Sequence, residues 1–332
     1  MNPTASHRGT SRYRKLASVY DAWLLLELFL LKVLCHVAPE GHWPQICRNL
    51  SRFIDSPERT ANAMRRYFVG EANPHGDIDT LARQAQAARR EHWMQILHAW
   101  GMTQGTQNVA RTRLSGQEVI EAALAKNRGI VLWLAHFAFA PLASKMALAG
   151  VGYRVWQMSR PEHGFSKTRL GIRALNPLRS KVEERFLAGR LLIDRHNPAA
   201  ATLRAARLLA RNAIISITAG DWEGVCVLRV PFGPGTVGIS NGAPGLAHLT
   251  GATLIPLITV RRHVGGPIDV VAETPIDPGR GLSQEIWVEA ALTEFAQRVT
   301  PYILSCPEQW RDWNRWEPDS RPCNRPAKVR LG

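Results

Sequence analysis

From residue 130 onward the chain alternates between short apolar runs and amphipathic segments. The runs lie near 130–135, 153–158, 190–193, 213–218, 254–260 and 268–273, and the helical patterns near 139–149, 199–211, 241–250 and 283–304. Apolar runs of strand length with no polar alternation suit strands buried on both faces. Alternating with helices, they predict an α/β domain: a mostly parallel central sheet covered by helices on both sides. In such sheets ligands bind beyond the carboxyl ends of the strands. Pro256 interrupts an otherwise good strand, which predicts an edge or bulged position for it, because proline cannot donate to the ladder.

The upstream pattern differs. Ser56-Pro57-Glu58 is a helix start, and Trp93, Ile96, Leu97 and Trp100 recur at helical spacing. Ser115 and Glu118 read as a capping box for a helix that stops near Asn127 and Gly129. The stretch "AWLLLELFLLKVLCHVAP" from Ala22 is short for a bilayer span and carries Glu27 and Lys32 inside it. It is expected not to cross. Two fates remain open for it: an interfacial anchor or a packed helix. The expected organisation is a basic segment over 1–19, a helical, membrane-apposed region over 20–110, the α/β domain over 111–318 and a basic disordered tail over 319–332.

Charge adds a class of partner. The 332 residues hold 42 Lys and Arg against 27 Asp and Glu, a formal net charge of +15. Such a field favours anionic partners: phospholipid surfaces, acyl carriers, coenzyme A or nucleic acid. Against a nucleic-acid reader, no zinc-finger, aromatic ribonucleoprotein or other such motif occurs. The five cysteines are scattered without a C-x-x-C pair, and the histidines have no ligand spacing, so neither a disulfide framework, a metal nor a cofactor is expected. No secretory signal begins the chain, and a cytoplasmic protein is expected.

Two familiar patterns overlap in "GPGTVGISNG" at 233–242. The G-x-G-x-x-G of Gly233, Gly235 and Gly238 lacks the acid about 20 residues on that a dinucleotide ribose requires. The G-x-S-x-G around Ser240 would need an acid and then a histidine downstream, yet 241–262 holds no acid and His263 is the last histidine. A glycine-rich loop with Ser240 capping the next helix is the better reading. Its backbone N–H groups would suit a phosphate or a developing oxyanion.

Several pieces in a fixed order carry a family likeness: "RGIVLWLAHFAFAPLASKMALAGVGYRVW", "SRP" at 159–161, "AATLRAARLLARNAIISITAGDWEG", "VPFGPGTVGISNGAPGLAHLTGATLIPLITVRR" and "CPEQWRDWNRW" at 306–316. Over roughly residues 110 to 316 they resemble the late acyltransferases of lipid A biosynthesis, within the wider lysophospholipid acyltransferase group. The resemblance implies an acyltransferase moving a fatty acyl group from an acyl carrier protein or acyl-CoA thioester to a hydroxyl. It implies too a protein held at the inner face of the cell membrane by an anionic surface. The family signature is a histidine followed five residues later by Asp or Glu, the acid fixing the tautomer of the base. His136 matches the histidine, but the acid's place holds Pro141.

Three readings follow from that departure. Another acid, Glu162, Asp221 or Glu223, replaces the missing one. Alternatively the acceptor is a soluble amine or hydroxylamine in a specialised-metabolite pathway, which manages with a weaker base and leaves a charged tRNA open as donor. Or the site is silent and the fold serves as a binding protein. The expected catalytic residues are His136, Glu162 and Asp221, with Arg160, Phe232, Gly233 and Ser240 binding substrate. "WRDWNRW" suits interfacial anchoring or plain core packing.

Overall fold

The computed structural model describes residues 15–55, 57–68, 76–101, 111–160, 164–194, 197–220, 227–279 and 281–318. Residues 1–14, the expected tail 319–332, and Glu162, Asp221 and Glu223 lie outside the described residues. Helices α1 (Val19–Val37), α2 (Trp43–Ile54), α3 (Glu58–Tyr67) and α4 (Ile78–Gly101) come first. There follow β1 (Thr112–Ser115), α5 (Gln117–Leu124), β2 (Ile130–Leu134), α6 (Ala140–Gly150), β3 (Val155–Ser159), a π-helical turn (Gly171–Leu175), α7 (Asn176–Glu184), β4 (Leu187–Leu192), α8 (Pro198–Leu209) and β5 (Ile214–Thr218). The chain continues through β6 (Val227–Phe232), β7 (Gly235–Ser240), α9 (Gly242–Thr250), β8 (Thr253–Val260), β9 (Ile268–Ala272), α10 (Gln284–Ser305), two 3-10 turns (Pro307–Gln309 and Trp313–Arg315) and β10 (Trp316–Pro318).

The apolar runs assemble into a seven-stranded sheet of order β1-β9-β8-β2-β5-β3-β4, parallel at every pairing but β8 with β9. Alternate residues of each strand serve opposite layers. Val131 and Trp133 join Ile215, Ile217 and Leu254 against α9 and α10, with Trp133 stacked on Phe295 at 4.0 Å. Ile130, Leu132 and Leu134 join Ile214 and Ile255 against α5 and α6. Both faces are therefore covered, which is why these strands carry almost no polar side chains.

Four local expectations are corrected. Pro256 lies in β8, which is interior, between β9 and β2. Its missing N–H does no harm: Thr253 N donates toward β2 at Gly129 O, so two-residue alternation turns Pro256 toward β9, where pairing begins only at Leu257. There the Pro256 carbonyl accepts from Glu273 N at 3.0 Å. Ser115 does not cap a helix; it ends β1, and the N-cap of α5 is Gly116 at φ 80°, where a side chain would run into the Ala272 carbonyl. Ser240 likewise ends β7, and Asn241 occupies the N-cap of α9 with no side-chain cap. The glycine-rich loop is mostly a hairpin, β6 and β7, which with β10 makes a second, antiparallel three-stranded sheet.

The apolar stretch from Ala22 is α1, opened by a capping box between Ser18 and Asp21. Leu24, Leu28, Leu31 and Cys35 bury one stripe of it against the chain. The two charges inside the stretch are clamps: Glu27 accepts from Arg90 Nε at 2.6 Å, and Lys32 Nζ donates to Leu97 O at 2.7 Å. Arg90 also grips Asp55 and donates to Ser51 Oγ at 2.7 Å, so one buried guanidinium ties α1, α2 and the segment after α2 to α4. The other face of α1 stays apolar and exposed, with Trp23 65% and Phe29 68% accessible, and on α2 Phe53 is 88% accessible. Among the described residues no helix is long and apolar enough to cross a membrane.

Candidate functional site

β2 ends at Leu134, and the next residues turn sharply: Ala135 N still reaches Leu257 O, while Phe137 N folds back to Ala135 O at 2.9 Å. This throws the His136 side chain out at the carboxyl edge of the sheet, just before α6. Pro141 sits in the first turn of α6, where its absent N–H costs nothing. Phe137 and Phe139 turn inward and are fully buried, whereas the His136 side chain keeps 24% of its surface.

The carboxylate on His136 comes from 176 positions along the chain. Asp312 Oδ1 lies 2.9 Å from His136 Nδ1. It is neither Glu162 nor Asp221 nor Glu223, the positions expected to replace the missing acid. What brings it there is a backbone seam: the segment after α10 runs antiparallel to residues 136–138, with a bridge between Phe137 and Trp310. Ala138 N donates to Gln309 O at 2.8 Å and Arg311 N to His136 O at 3.0 Å. Gln309 pins the same segment to the end of β8, its amide group accepting from Arg261 N and donating to Arg261 O, each at 2.8 Å. The Trp-rich ending is thus structural. Trp310, Trp313 and Trp316 are buried, Trp310 stacks on Phe232 at 5.0 Å, and Tyr67 from α3 meets Phe232, Trp313 and Trp316.

Electrostatics fix the roles of the pair. Burial works to raise the Asp312 pKa, but the charge and hydrogen bond of His136, with Arg315 and Arg311 nearby, outweigh it and hold the carboxyl below its ordinary value. Arg315 Nη1 lies 3.1 Å from the same Oδ1. An ionised carboxylate only accepts, so Nδ1 donates its hydrogen bond to Asp312, and in the neutral ring Nε2 is the nitrogen left with a lone pair. Nε2 makes no hydrogen bond among the described residues.

Of the expected binding residues, Arg160 and Ser240 border one cavity of about 290 Å³, at the carboxyl ends of β3 and β5 and the N-terminus of α9. Met158, Ile193, Ile217 and Leu246 make much of its wall, and Asn241 and Gly242 bring the unsatisfied amides of α9 to it. Phe232 lines a second, small cavity of about 20 Å³ together with His136 and Asp312. Consecutive residues Ile239 and Ser240 of β7 face the two cavities, so they are close neighbours. Gly233 borders neither. At φ 54° it makes the hairpin turn, where a side chain would run into Tyr67.

In comparisons with known proteins, no family model matches the chain and no curated protein matches it. The functional reading therefore rests on the site itself. Asp312 was missed in the sequence although it is the only acid in the segment "QWRDWNRW". A lone carboxylate among arginines and tryptophans at the end of an α/β domain was the available signal.

Proposed function

We propose that the protein is an acyltransferase in which His136 is the general base and Asp312 takes the part of the acid that the family pattern places five residues after the histidine. The observation that carries this reading is the 2.9 Å contact between Asp312 Oδ1 and His136 Nδ1, with Nε2 left to act. In the reaction the acceptor hydroxyl gives its proton to Nε2 as its oxygen attacks the thioester carbonyl of an acyl carrier or acyl-CoA donor. The C–S bond then breaks and the leaving thiolate takes the proton back from the imidazolium, which Asp312 stabilises meanwhile. The pair supports a hydroxyl acceptor, because an imidazole oriented by a carboxylate is a base strong enough for a hydroxyl, where a lone one would favour a more nucleophilic amine.

The 290 Å³ cavity, at the small end of ligand pockets, suits part of an acyl chain along Met158, Ile217 and Leu246. Arg160 and the N-terminus of α9 would favour a polar or anionic group at its rim. The protein works from an anionic membrane surface, at the inner face of the cell membrane. Supporting this, the exposed apolar face of α1 adjoins the exposed cations Lys15, Lys167 and Arg169, with residues 15 and 16 hydrogen-bonded to 169 and 170.

The test is acyl transfer followed by mass spectrometry, with medium- and long-chain acyl-CoA donors and a total lipid extract as acceptor. His136→Ala and Asp312→Asn are each expected to lower the rate by about 10²–10⁴-fold, as in dyads that lose a member. Wild-type rates in both variants would remove the pair from the chemistry.

A further inference from the structure

A cleft of about 350 Å³ lies between α3 and the segment that carries Asp312, and its charged groups are all of one sign. Arg59, Asn62 and Arg66 sit at i, i+3 and i+7, so one face of α3 presents all three to the cleft. Across from them stand Trp313, Asn314 and Trp316, on the Trp313–Arg315 turn and the start of β10. No carboxylate is on the wall among the described residues. The acids of the neighbouring elements are engaged elsewhere: Asp79 pairs with Arg65 at 2.5 Å and Glu317 with Arg229 at 3.0 Å. Arg59 makes no hydrogen bond or ion pair among the described residues. Arg66 gives Nε to the Asn62 carbonyl one turn back at 3.2 Å, and its two Nη groups make no bond among the described residues. Asn62 accepts through Oδ1 from Arg65 at 2.9 Å, which leaves its amide hydrogens, and Asn314 has no partner among the described residues.

Two guanidinium groups therefore share one cleft without a counter-charge. A cleft lined by one sign of charge over low-dielectric walls concentrates the field and draws counter-ions. The buried indoles of Trp313 and Trp316 supply that wall. Guanidinium forks and amide hydrogens suit a phosphate, whose oxygens accept from several directions at once. From residue 59 to 66 the helix rises about 10 Å, a span that two long side chains can close over one phosphate or share between two. The cleft has no residue in common with the His136 cavity, yet their walls touch. Trp313 directly follows Asp312, and Trp316 Nε1 donates at 3.1 Å to the carbonyl of Phe232, which lines the His136 cavity.

We propose that this cleft binds a phosphate-bearing ligand, held by Arg59 and Arg66 with the amides of Asn62 and Asn314 donating to the same group. An occupant ties α3 to the segment that carries Asp312. Phosphate binding here does not depend on the acyltransferase reading, because none of these residues belongs to the His136 cavity. Two sources share this chemistry: a phospholipid headgroup, and a soluble phosphorylated molecule such as the nucleotide end of coenzyme A.

The test uses the full chain and inorganic phosphate as probe, with binding read by calorimetry at constant ionic strength. Wild type is expected to bind, and Arg59→Gln and Arg66→Gln each to weaken binding by at least about tenfold, as for loss of a charge-assisted hydrogen bond. Both side chains are exposed, so both variants should fold. Arg52→Gln, which removes the same charge from an exposed position off the cleft, should bind as wild type does, and so should His136→Ala. Displacement by dibutyryl phosphatidic acid and not by adenosine bisphosphate would assign the lipid headgroup, and the reverse the nucleotide. No binding by wild type, undiminished binding by both cleft variants, or an equal loss in Arg52→Gln would overturn the site. Phosphate binding that is lost in Arg59→Gln, in a protein without transferase activity, would sink the enzymatic reading and leave the cleft standing.

Discussion

A single carboxylate sets the character of the site at the scale of residues. Asp312 is more acidic in the folded chain than its ordinary value of 3.8, because its contacts with His136 and the nearby arginines outweigh the effect of burial. A depressed carboxyl contributes stability that is full above the unfolded value and lost as pH falls through the lower folded one. Asp312→Asn is therefore expected to melt at a lower temperature than wild type near pH 5 to 6, with the gap closing below about pH 4. Thermal melts from pH 2.5 to 6 would check this, and a gap that stays constant would contradict it. His136 was legible in the sequence because it follows an apolar run at a strand end. Its partner was not, because side chains 176 positions apart meet only through tertiary pairing, and no local period encodes that. The glycine-rich loop around Gly233, and Ser240 as a helix cap, misled for a related reason. Glycine spacing signals a turn, and the positive φ at Gly233 serves the turn of a hairpin packed against Tyr67.

At the scale of elements, β2, β3, β5, β8 and β9 and helices α6, α8, α9 and α10 follow the periodicity closely, since long apolar runs leave few alternatives. The elements missed are those with short or polar patterns: β1, with alternating exposure over four residues, the β6–β7 hairpin, α7 and the three-residue β10. The buried charges of α4 are the other feature that periodicity hides. Arg90, Glu91 and His92 stand in a row and all are buried, Arg90 against Glu27 and Asp55 and Glu91 against Arg261 from the end of β8. Arg90→Met strands two carboxylates and should cost about 3–5 kcal/mol in denaturant unfolding. Replacing Glu27 and Asp55 as well, by Gln and Asn, should recover part of that loss. A single variant as stable as wild type would show that the clamp does not hold α1 and α2 to α4.

The whole molecule presents two unlike surfaces. One is the exposed apolar face of α1 with Phe53 and Ile54 at the end of α2, larger than a scattering of single surface residues. The Trp23→Glu and Phe29→Glu pair is expected to abolish flotation with vesicles containing anionic lipid while leaving the thermal melt within about 2 °C, because both side chains are exposed. Flotation unchanged by the two substitutions would detach membrane binding from this helix. The other is the edge where β2 meets the segment that follows α10. The backbone seam from Gln309 to Arg311 is what brings a carboxylate to the imidazole. During synthesis, then, the sheet can form around β2 and β5 long before the ribosome has delivered Asp312. A nascent protein would pass through a stage that has its sheet but not yet a carboxylate on the imidazole, which comes only with the segment after α10.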